Sequence, residues 1–196
     1  MNRRRTSTAI GVGLLTMFLA IPAVAEQEAP EHCAVFLDRS VDDADTKPVE
    51  TAPIDIGCFD TLSEALVAGS AGTLHPTPFV SLRTLTDRSL DEGGGSTMDV
   101  EDPEKTFLIG IEYDLITFDG GTRSYYFDRA CNANPIEVNV GDTWDDRFES
   151  GKGFAGCGSN KKFAGQNQNG DVHLCTPSCG SYNDLRNRVS SLRWKE

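Results

Sequence analysis

The sequence has few histidines and none of the common catalytic motifs. Its 196 residues include three histidines, and none of them, His32, His75 or His173, lies in a Ser-His-Asp or Cys-His motif context. Stretches of the form GxSxG or HExxH and a phosphate-binding loop are also missing. We therefore expect no enzymatic activity, although the many acidic residues leave a glycosidase-like carboxylate pair open.

Positive charge is scarce as well. The chain has 18 lysines and arginines against 30 aspartates and glutamates, and its formal net charge is −12. Such an excess of acid argues against nucleic acid and anionic membranes as partners, because both are negatively charged. It favours solubility and the binding of cations.

Long apolar runs are missing after the first 25 residues. There, Arg3–Arg5 precede an apolar run that ends in "AVA" before Glu26, which is the pattern of a secretory signal peptide. A membrane anchor is the alternative, but the run is short and Pro22 interrupts it. We expect residues 1–25 to be cleaved and the mature protein to be secreted, without a membrane anchor.

Six cysteines remain after that cleavage, and an even number in an exported chain indicates three disulfides. The sequence does not fix their pairing, and the pairing that we favour is Cys33–Cys58, Cys131–Cys157 and Cys175–Cys179. The last two lie in "CTPSC", which has the spacing of a small loop closed by its own bridge. A zinc site is the alternative for them, but it lacks a second close pair of cysteines or histidines.

The chain divides into three parts after the signal peptide. Residues 26–80 are a small strand–helix extension, with strands predicted at 33–37 and 54–59 and a polar loop over 39–53 between them. A helix is predicted from the capping box of Thr61 and Glu64 to Gly69. Residues 81–105 are an acidic, glycine-rich flexible linker, and residues 106–196 form a separate β domain.

The β domain carries a faint internal repeat. "YDLITFDGG" contains Phe118-x-Gly120, and "GSNKKFAGQ" contains Phe163-x-Gly165 about 45 residues later. A segment with an acid or amide and serine follows each, "WDDRFES" (144–150) and "LRNRVSSLRW" (185–194). A glycine after the aromatic lets a hairpin fold back over its own sheet, so the repeat predicts a Greek key used twice and packed as a sandwich.

These stretches resemble the βγ-crystallin superfamily, in particular its small secreted microbial members, over residues 106–196. Tyr113, Phe118 and Gly120 match the family signature in the first motif, whereas Gly158 stands where the first aromatic of the second motif is expected. The resemblance implies a mainly β fold, with two Greek-key motifs forming a βγ-crystallin-like sandwich beside the N-terminal extension.

The resemblance also implies calcium as a cofactor. Calcium-binding members carry an (Asn/Asp)-(Asn/Asp)-x-x-(Ser/Thr)-Ser segment late in each motif and build each site across both motifs. Carried over, the candidate metal ligands are Asp145, Asp146, Glu149 and Ser150 in the first segment and Asn187 and Ser190 in the second, where Ser191 matches the last position of the pattern.

Two departures weaken the match. Glu149 stands where serine or threonine is expected, and Arg186 stands where an acid or amide is expected. We therefore expect at most one good site, centred on Asp145 and Asp146, with a dissociation constant of about 10⁻⁴–10⁻³ M. In an alternative interpretation the serines only tie down the folded hairpins by local hydrogen bonds.

The expected function is weak calcium binding that stabilises a secreted, disulfide-bonded protein. The leading alternative comes from other small exported proteins of this kind, which include a metalloproteinase inhibitor and a killer toxin. In that case the partner is a secreted protease or another extracellular protein, and the "CTPSC" loop or the glycine-rich stretch 151–160 presents the contact surface.

Overall fold

The computed structural model describes residues 31–39, 49–74 and 106–196. The predicted signal peptide and linker lie outside these ranges, as does His75. Ten strands and one α-helix make up the described fold, which confirms the mainly β prediction. The elements are β1 (His32–Arg39), β2 (Val49–Phe59), α1 (Leu62–Gly69), β3 (Phe107–Leu115), β4 (Asp119–Phe127), β5 (Ile136–Asn139), β6 (Ser150–Gly153), β7 (Ser159–Gly165), β8 (Asn169–Cys175), β9 (Ser178–Cys179), a 3-10 turn (Asn183–Leu185) and β10 (Ser191–Lys195).

The eight strands after residue 106 form two four-stranded motifs, β3–β6 and β7–β10, that exchange strands. One group has the order β4-β3-β6-β9 and the other has the order β8-β7-β10-β5. Each group therefore takes three strands from one motif and the third strand of the other motif. This exchange places the late segments of both motifs next to each other. These are the acid and serine segments, 144–150 and 185–194.

The N-terminal hairpin of β1 and β2 connects these two groups into one sheet. β1 pairs in parallel with β4 and β2 pairs in parallel with β5, so the sheet has the continuous order β8-β7-β10-β5-β2-β1-β4-β3-β6-β9. β2 begins at Val49, so the predicted loop over 39–53 is wrong in its last five residues. Their hydrogen bonds to β1 and β5 outweigh the low strand propensity of the proline and the acid in this stretch.

Helix α1 begins and ends where its sequence signals lie. The Thr61 side chain accepts from the Glu64 backbone N–H, and the Glu64 carboxylate accepts from the Thr61 N–H, which completes the capping box. Leu66 is 1 % exposed and packs with Tyr126, whose hydroxyl donates to the Leu66 carbonyl. Among the described residues, no helix is long and apolar enough to cross a membrane.

The main core lies between the two strand groups and is rich in aromatic side chains. Trp194 and Tyr125 are fully buried, with ring centroids 5.0 Å apart. Trp144, the tryptophan of "WDDRFES", is 3 % exposed and stacks on Phe148 at 5.5 Å. The segment that carries the candidate ligands is therefore anchored to this core by two rings.

Three disulfides are present, Cys33–Cys58, Cys131–Cys157 and Cys175–Cys179, in the pairing that we favoured from the sequence. Cys33 and Cys58 are directly opposite each other in the β1–β2 ladder. Cys175 ends β8 and Cys179 ends β9, and these strands are the two edges of the ten-stranded order. The small bridge thus connects the two edges of the sheet.

Candidate calcium site

Two folded hairpins of the same geometry shape the candidate site. In the first, Thr117, Phe118 and Gly120 have left-handed backbone angles, with φ of 60°, 60° and 79°. In the second hairpin, the corresponding residues are Asn167, Gln168 and Gly170, with φ of 56°, 56° and 79°. A side chain at such angles is strained, and at Gly120 a Cβ atom would also overlap the Asp114 carboxylate and the Leu115 side chain, so this position requires glycine.

This correspondence corrects the predicted repeat. Phe163 lies at the position of Tyr113, since the Tyr113 carbonyl accepts from Glu149 N–H at 2.9 Å and the Phe163 carbonyl accepts from Ser190 N–H at 2.9 Å. The predicted second signature, Phe163-x-Gly165, is therefore five residues out of register. Gly158 does not stand in the place of the first aromatic, because Phe163 itself fills it.

One serine ties each hairpin to the end of its motif. Ser150 Oγ donates to the Leu115 carbonyl at 2.6 Å and accepts from Phe118 N–H at 3.1 Å. Ser191 Oγ makes the same two bonds in the second motif, at 2.6 Å and 3.0 Å, to Gly165 and Gln168. The Ser150 hydroxyl, a candidate calcium ligand, is thus already used in holding the hairpin.

The two acid and serine segments contact each other through reciprocal backbone bonds. Asp146 N–H donates to the Val189 carbonyl at 3.2 Å, and Asn187 N–H donates to the Phe148 carbonyl at 3.0 Å. Asp146 and Asn187 also share left-handed angles, with φ of 58° and 54°. The segments are therefore related by an approximate two-fold axis, and each candidate site takes residues from both motifs.

The side chains of Glu149 and Asn187 meet at this junction. Asn187 Nδ2 donates to Glu149 Oε1 at 2.7 Å, although the two residues lie 38 positions apart. The two-fold relation pairs Asp146 with Asn187 and Ser190 with Glu149. Asp146 and Ser190 therefore lie in a second junction, equivalent to the one between Asn187 and Glu149. The Ser190 hydroxyl donates to the Ala164 carbonyl at 3.3 Å.

Asp145 lies in the turn before the first junction and is half-buried. Its N–H donates to the Gly141 carbonyl at 3.0 Å, and its Oδ1 is buried without a hydrogen-bond partner among the described residues. A buried carboxylate oxygen without a hydrogen-bond donor destabilises the folded state, because it has lost its hydrogen bonds to water and has formed none in the protein. A cation is one way to satisfy this oxygen.

Two arginines set the charge around the site. Arg147 lies over the Trp144 ring, 4.2 Å from its centroid, and pairs with Asp114 at 3.5 Å. Arg186, which stands at the place of Asp145 in the second segment, donates from Nε to the Asn183 carbonyl at 3.3 Å. Arg186 is thus bonded to its own turn, and it brings positive charge in place of an acidic ligand.

Two other clusters of potential metal ligands involve bridged cysteines. They are His173 with Cys175 and Cys179, and Glu31 with Cys33 and Cys58. His173 Nε2 lies 3.4 Å from Cys179 Sγ. Because all four cysteines are in disulfides, they offer no thiolate, which is the form that binds zinc.

His32 is the other described histidine, and it is 6 % exposed. Its Nδ1 lies 3.0 Å from Thr122 Oγ1, and burial lowers the pKa of the imidazole from its usual value near 6.5. His32 is thus enclosed in the sheet rather than presented to solvent.

No protein-family model matches the chain, and no curated protein matches it either. Solved structures of βγ-crystallin domains are similar to it. An archaeal βγ-crystallin is 21 % identical over 44 % of this chain and 96 % of its own, with a TM-score of 0.34. A domain from Clostridium beijerinckii is 16 % identical over 44 % of this chain and 97 % of its own, also with a TM-score of 0.34.

A βγ-crystallin domain of Abundant Perithecial Protein from Neurospora crassa, solved in the Ca²⁺-bound form, is 21 % identical. The similarity covers 52 % of this chain and 94 % of that domain, with a TM-score of 0.35. The strand exchange between two four-stranded motifs and the two folded hairpins with their serine ties carry the conclusion for this chain. Its described part has a mainly β, βγ-crystallin-like fold, in agreement with the resemblance found in the sequence motifs.

Proposed function

We propose that this is a secreted, disulfide-stabilised protein whose two-motif β domain binds calcium weakly and gains stability from it. The observation that carries the proposal is the junction of the two acid and serine segments. Reciprocal backbone bonds hold the segments together, and oxygen-bearing side chains from both motifs converge there. Calcium takes six to eight oxygen ligands from carboxylates, amides, hydroxyls and backbone carbonyls, which is the donor set of this junction.

The first segment supplies most of the negative charge. Asp145 contributes the buried oxygen without a donor, and Asp146 contributes an exposed carboxylate beside the second segment. Glu149 is longer than the serine or threonine expected at its position, and its carboxylate already accepts from Asn187. Calcium bound by Glu149 and Asn187 requires the amide to turn its oxygen inward, which is a rotation of one side-chain torsion.

The proposal assigns no catalytic role to the described histidines. His32 is held against Thr122 inside the sheet, and His173 lies beside the Cys175–Cys179 bridge. The disulfides fit an oxidising compartment outside the cytoplasm, where calcium is present at millimolar concentration and a weak site is filled.

Thermal unfolding with and without calcium tests the proposal. The protein is stripped with a chelator, and its melting temperature is followed by circular dichroism as calcium is added. With a dissociation constant of about 10⁻⁴–10⁻³ M, 10 mM calcium stabilises the native state by about 1.4–2.7 kcal/mol. No rise in melting temperature at 10 mM calcium would refute the proposal.

Variants locate the site. Asp145→Ala with Asp146→Ala should abolish the calcium-dependent shift, and Asn187→Ala should reduce it less. The control removes the same number of carboxylates at exposed positions away from the junction, Asp38→Ala with Asp60→Ala, and should keep the full shift. An equal loss in both double variants would mean that calcium acts by general charge screening rather than at a site.

A further inference from the structure

A charged pair lies at the centre of the main core. Glu112 on β3 and Lys162 on β7 are both 0 % exposed, and Lys162 Nζ donates to Glu112 Oε1. Since Phe163 occupies the place of Tyr113, Lys162 occupies the place of Glu112 in the other motif. The approximate two-fold axis thus brings together one acid and one base from equivalent positions.

The neighbours of this pair complete its hydrogen bonds. Tyr182 Oη donates to the second carboxylate oxygen, Glu112 Oε2, and Lys162 Nζ donates to Asn160 Oδ1 at 3.3 Å. Tyr182 and Asn160 are themselves fully buried. The rings of Tyr182 and Trp194 lie over the ammonium, with centroids 5.4 Å and 5.6 Å from Nζ.

Gly151 makes the close approach of Tyr182 possible. A Cβ atom at this position would overlap the Tyr182 hydroxyl and would meet Glu112 Oε2. The glycine therefore leaves the space in which the phenol reaches the carboxylate.

Burial acts against the charge of the Lys162 amine and keeps the Tyr182 phenol neutral. Burial lowers the pKa of the Lys162 amine, and the charge and hydrogen bond of Glu112 oppose that effect. Burial, and after it the charge of Glu112, raise the pKa of Tyr182, so this phenol stays protonated and can donate. An amine without its proton is the form of lysine that acts as a nucleophile.

We propose that Lys162 and Glu112 condense to an intramolecular isopeptide bond that joins β3 to β7. One proton passes from the ammonium to the carboxylate along their hydrogen bond, which leaves a neutral amine and a neutral acid. The Nζ lone pair attacks Cδ of Glu112 and forms the C–N bond, while Tyr182 donates to the oxygen on which negative charge develops. Nitrogen loses its second proton to the departing hydroxyl, a C–O bond breaks and one water leaves, so no oxidant or other reactant is required.

Two features of the structure favour the reaction. Groups held in contact react with effective molarities that reach about 10⁵–10⁸ M, which lowers the barrier to condensation. The new amide also keeps the existing partners, because its N–H can donate to Asn160 Oδ1 and its carbonyl can accept from Tyr182 Oη. The reaction replaces two buried charges, which are costly to desolvate, with one neutral group.

Mass spectrometry of the full chain, purified after export, tests this bond. After reduction and alkylation, the expected mass is that of the mature sequence less one water, and digestion should yield one branched peptide that contains both Glu112 and Lys162. Separate linear peptides that contain these residues at their unmodified masses would overturn the proposal. Loss of ammonia with a branch at Asn160 would overturn it as well, because the acyl donor would then be the amide.

Controls separate the bond from other dehydrations. A cyclic imide at Asp119–Gly120 also loses one water, but it gives a linear peptide and is cleaved by hydroxylamine. Tyr182→Phe keeps the packing and removes the donor to the carboxylate, so it should slow formation of the branched peptide by about 10²-fold. Lys162→Met removes the nucleophile and should restore the full mass of its own sequence; the wild-type digest decides the question even where this variant fails to fold.

Discussion

Replacing Ser150 with alanine should destabilise the protein to the same extent as replacing Ser191, and calcium should not alter the difference from wild type. Each substitution removes a buried hydroxyl that bonds one carbonyl and one N–H of its own hairpin. Leaving a buried backbone group without a partner costs about 1–3 kcal/mol. Two backbone groups lose their partner in each variant, but water can reach the exposed hairpin tips and replace part of the lost bonding. We therefore expect the free energy of unfolding to fall by about 2–4 kcal/mol for either variant.

Urea denaturation followed by tryptophan fluorescence measures this loss. Trp144 and Trp194 are 3 % and 0 % exposed and are the two tryptophans of the chain, so both report the loss of the core. The slope of the free energy against urea should stay unchanged, since the surface exposed on unfolding hardly differs. A stability of about 5–15 kcal/mol is typical of such domains, so either variant should shift the midpoint clearly.

Ser190→Ala is the matched control, since its hydroxyl makes one longer bond of 3.3 Å to Ala164. It should cost about 1 kcal/mol or less. A loss below about 0.5 kcal/mol in Ser150→Ala would refute the structural role of this serine, because ordinary surface substitutions cost as little. A loss seen only with calcium present would make Ser150 a metal ligand instead of a hairpin tie.

Disulfide loop length and alkaline pH should also change the stability of the protein. The Cys175–Cys179 bridge spans 4 positions and the Cys131–Cys157 bridge spans 26. Loop entropy therefore predicts that replacing both cysteines by alanine lowers the free energy of unfolding by about 2 kcal/mol for the short bridge and about 3.5 kcal/mol for the long one, measured by urea denaturation. Equal losses, or a larger loss for the short bridge, would contradict the entropic account. Alkaline pH should unfold the protein, because burial raises the pKa of four tyrosines above the unfolded value near 10. The contribution of these tyrosines to the free energy of unfolding is complete below pH 10. Above pH 10 it is lost by about 5 kcal/mol per pH unit for the four together. The four are Tyr113, Tyr125, Tyr126 and Tyr182. Tyrosinate absorbance and circular dichroism should change together on raising the pH, and tyrosinate formation in a protein that keeps its tertiary signal would contradict the prediction.

Local signals allowed much of the fold to be predicted. The capping box gave the start of α1, and the glycine of "YDLITFDGG" gave the first folded hairpin. Both depend on interactions within a few residues. The second hairpin was placed five residues too early, because Gln168 stands where an aromatic is expected while Phe163 precedes another glycine, Gly165, by chance.

Long-range features could not be read in the same way. The sequence predicts two N-terminal strands but gives no sign that their hairpin inserts between β4 and β5 in parallel with both. Glu112 and Lys162 would each be placed on a solvent-facing side by their charge, and only their partnership makes burial tolerable. The hairpin roles of Ser150 and Ser191 were predicted as an alternative to metal binding, and the structure shows those bonds directly.

The opposite charges of Glu112 and Lys162 also constrain how the duplicated motifs can assemble. In a chain with two similar halves, the first motif of one molecule could in principle pair with the first motif of another. Such a pairing would bring two carboxylates together in a dry core, and pairing of two second motifs would bring together two ammonium groups. Only the union of unlike halves neutralises the centre, so this pair of residues disfavours the pairing of like motifs from two molecules as the protein folds.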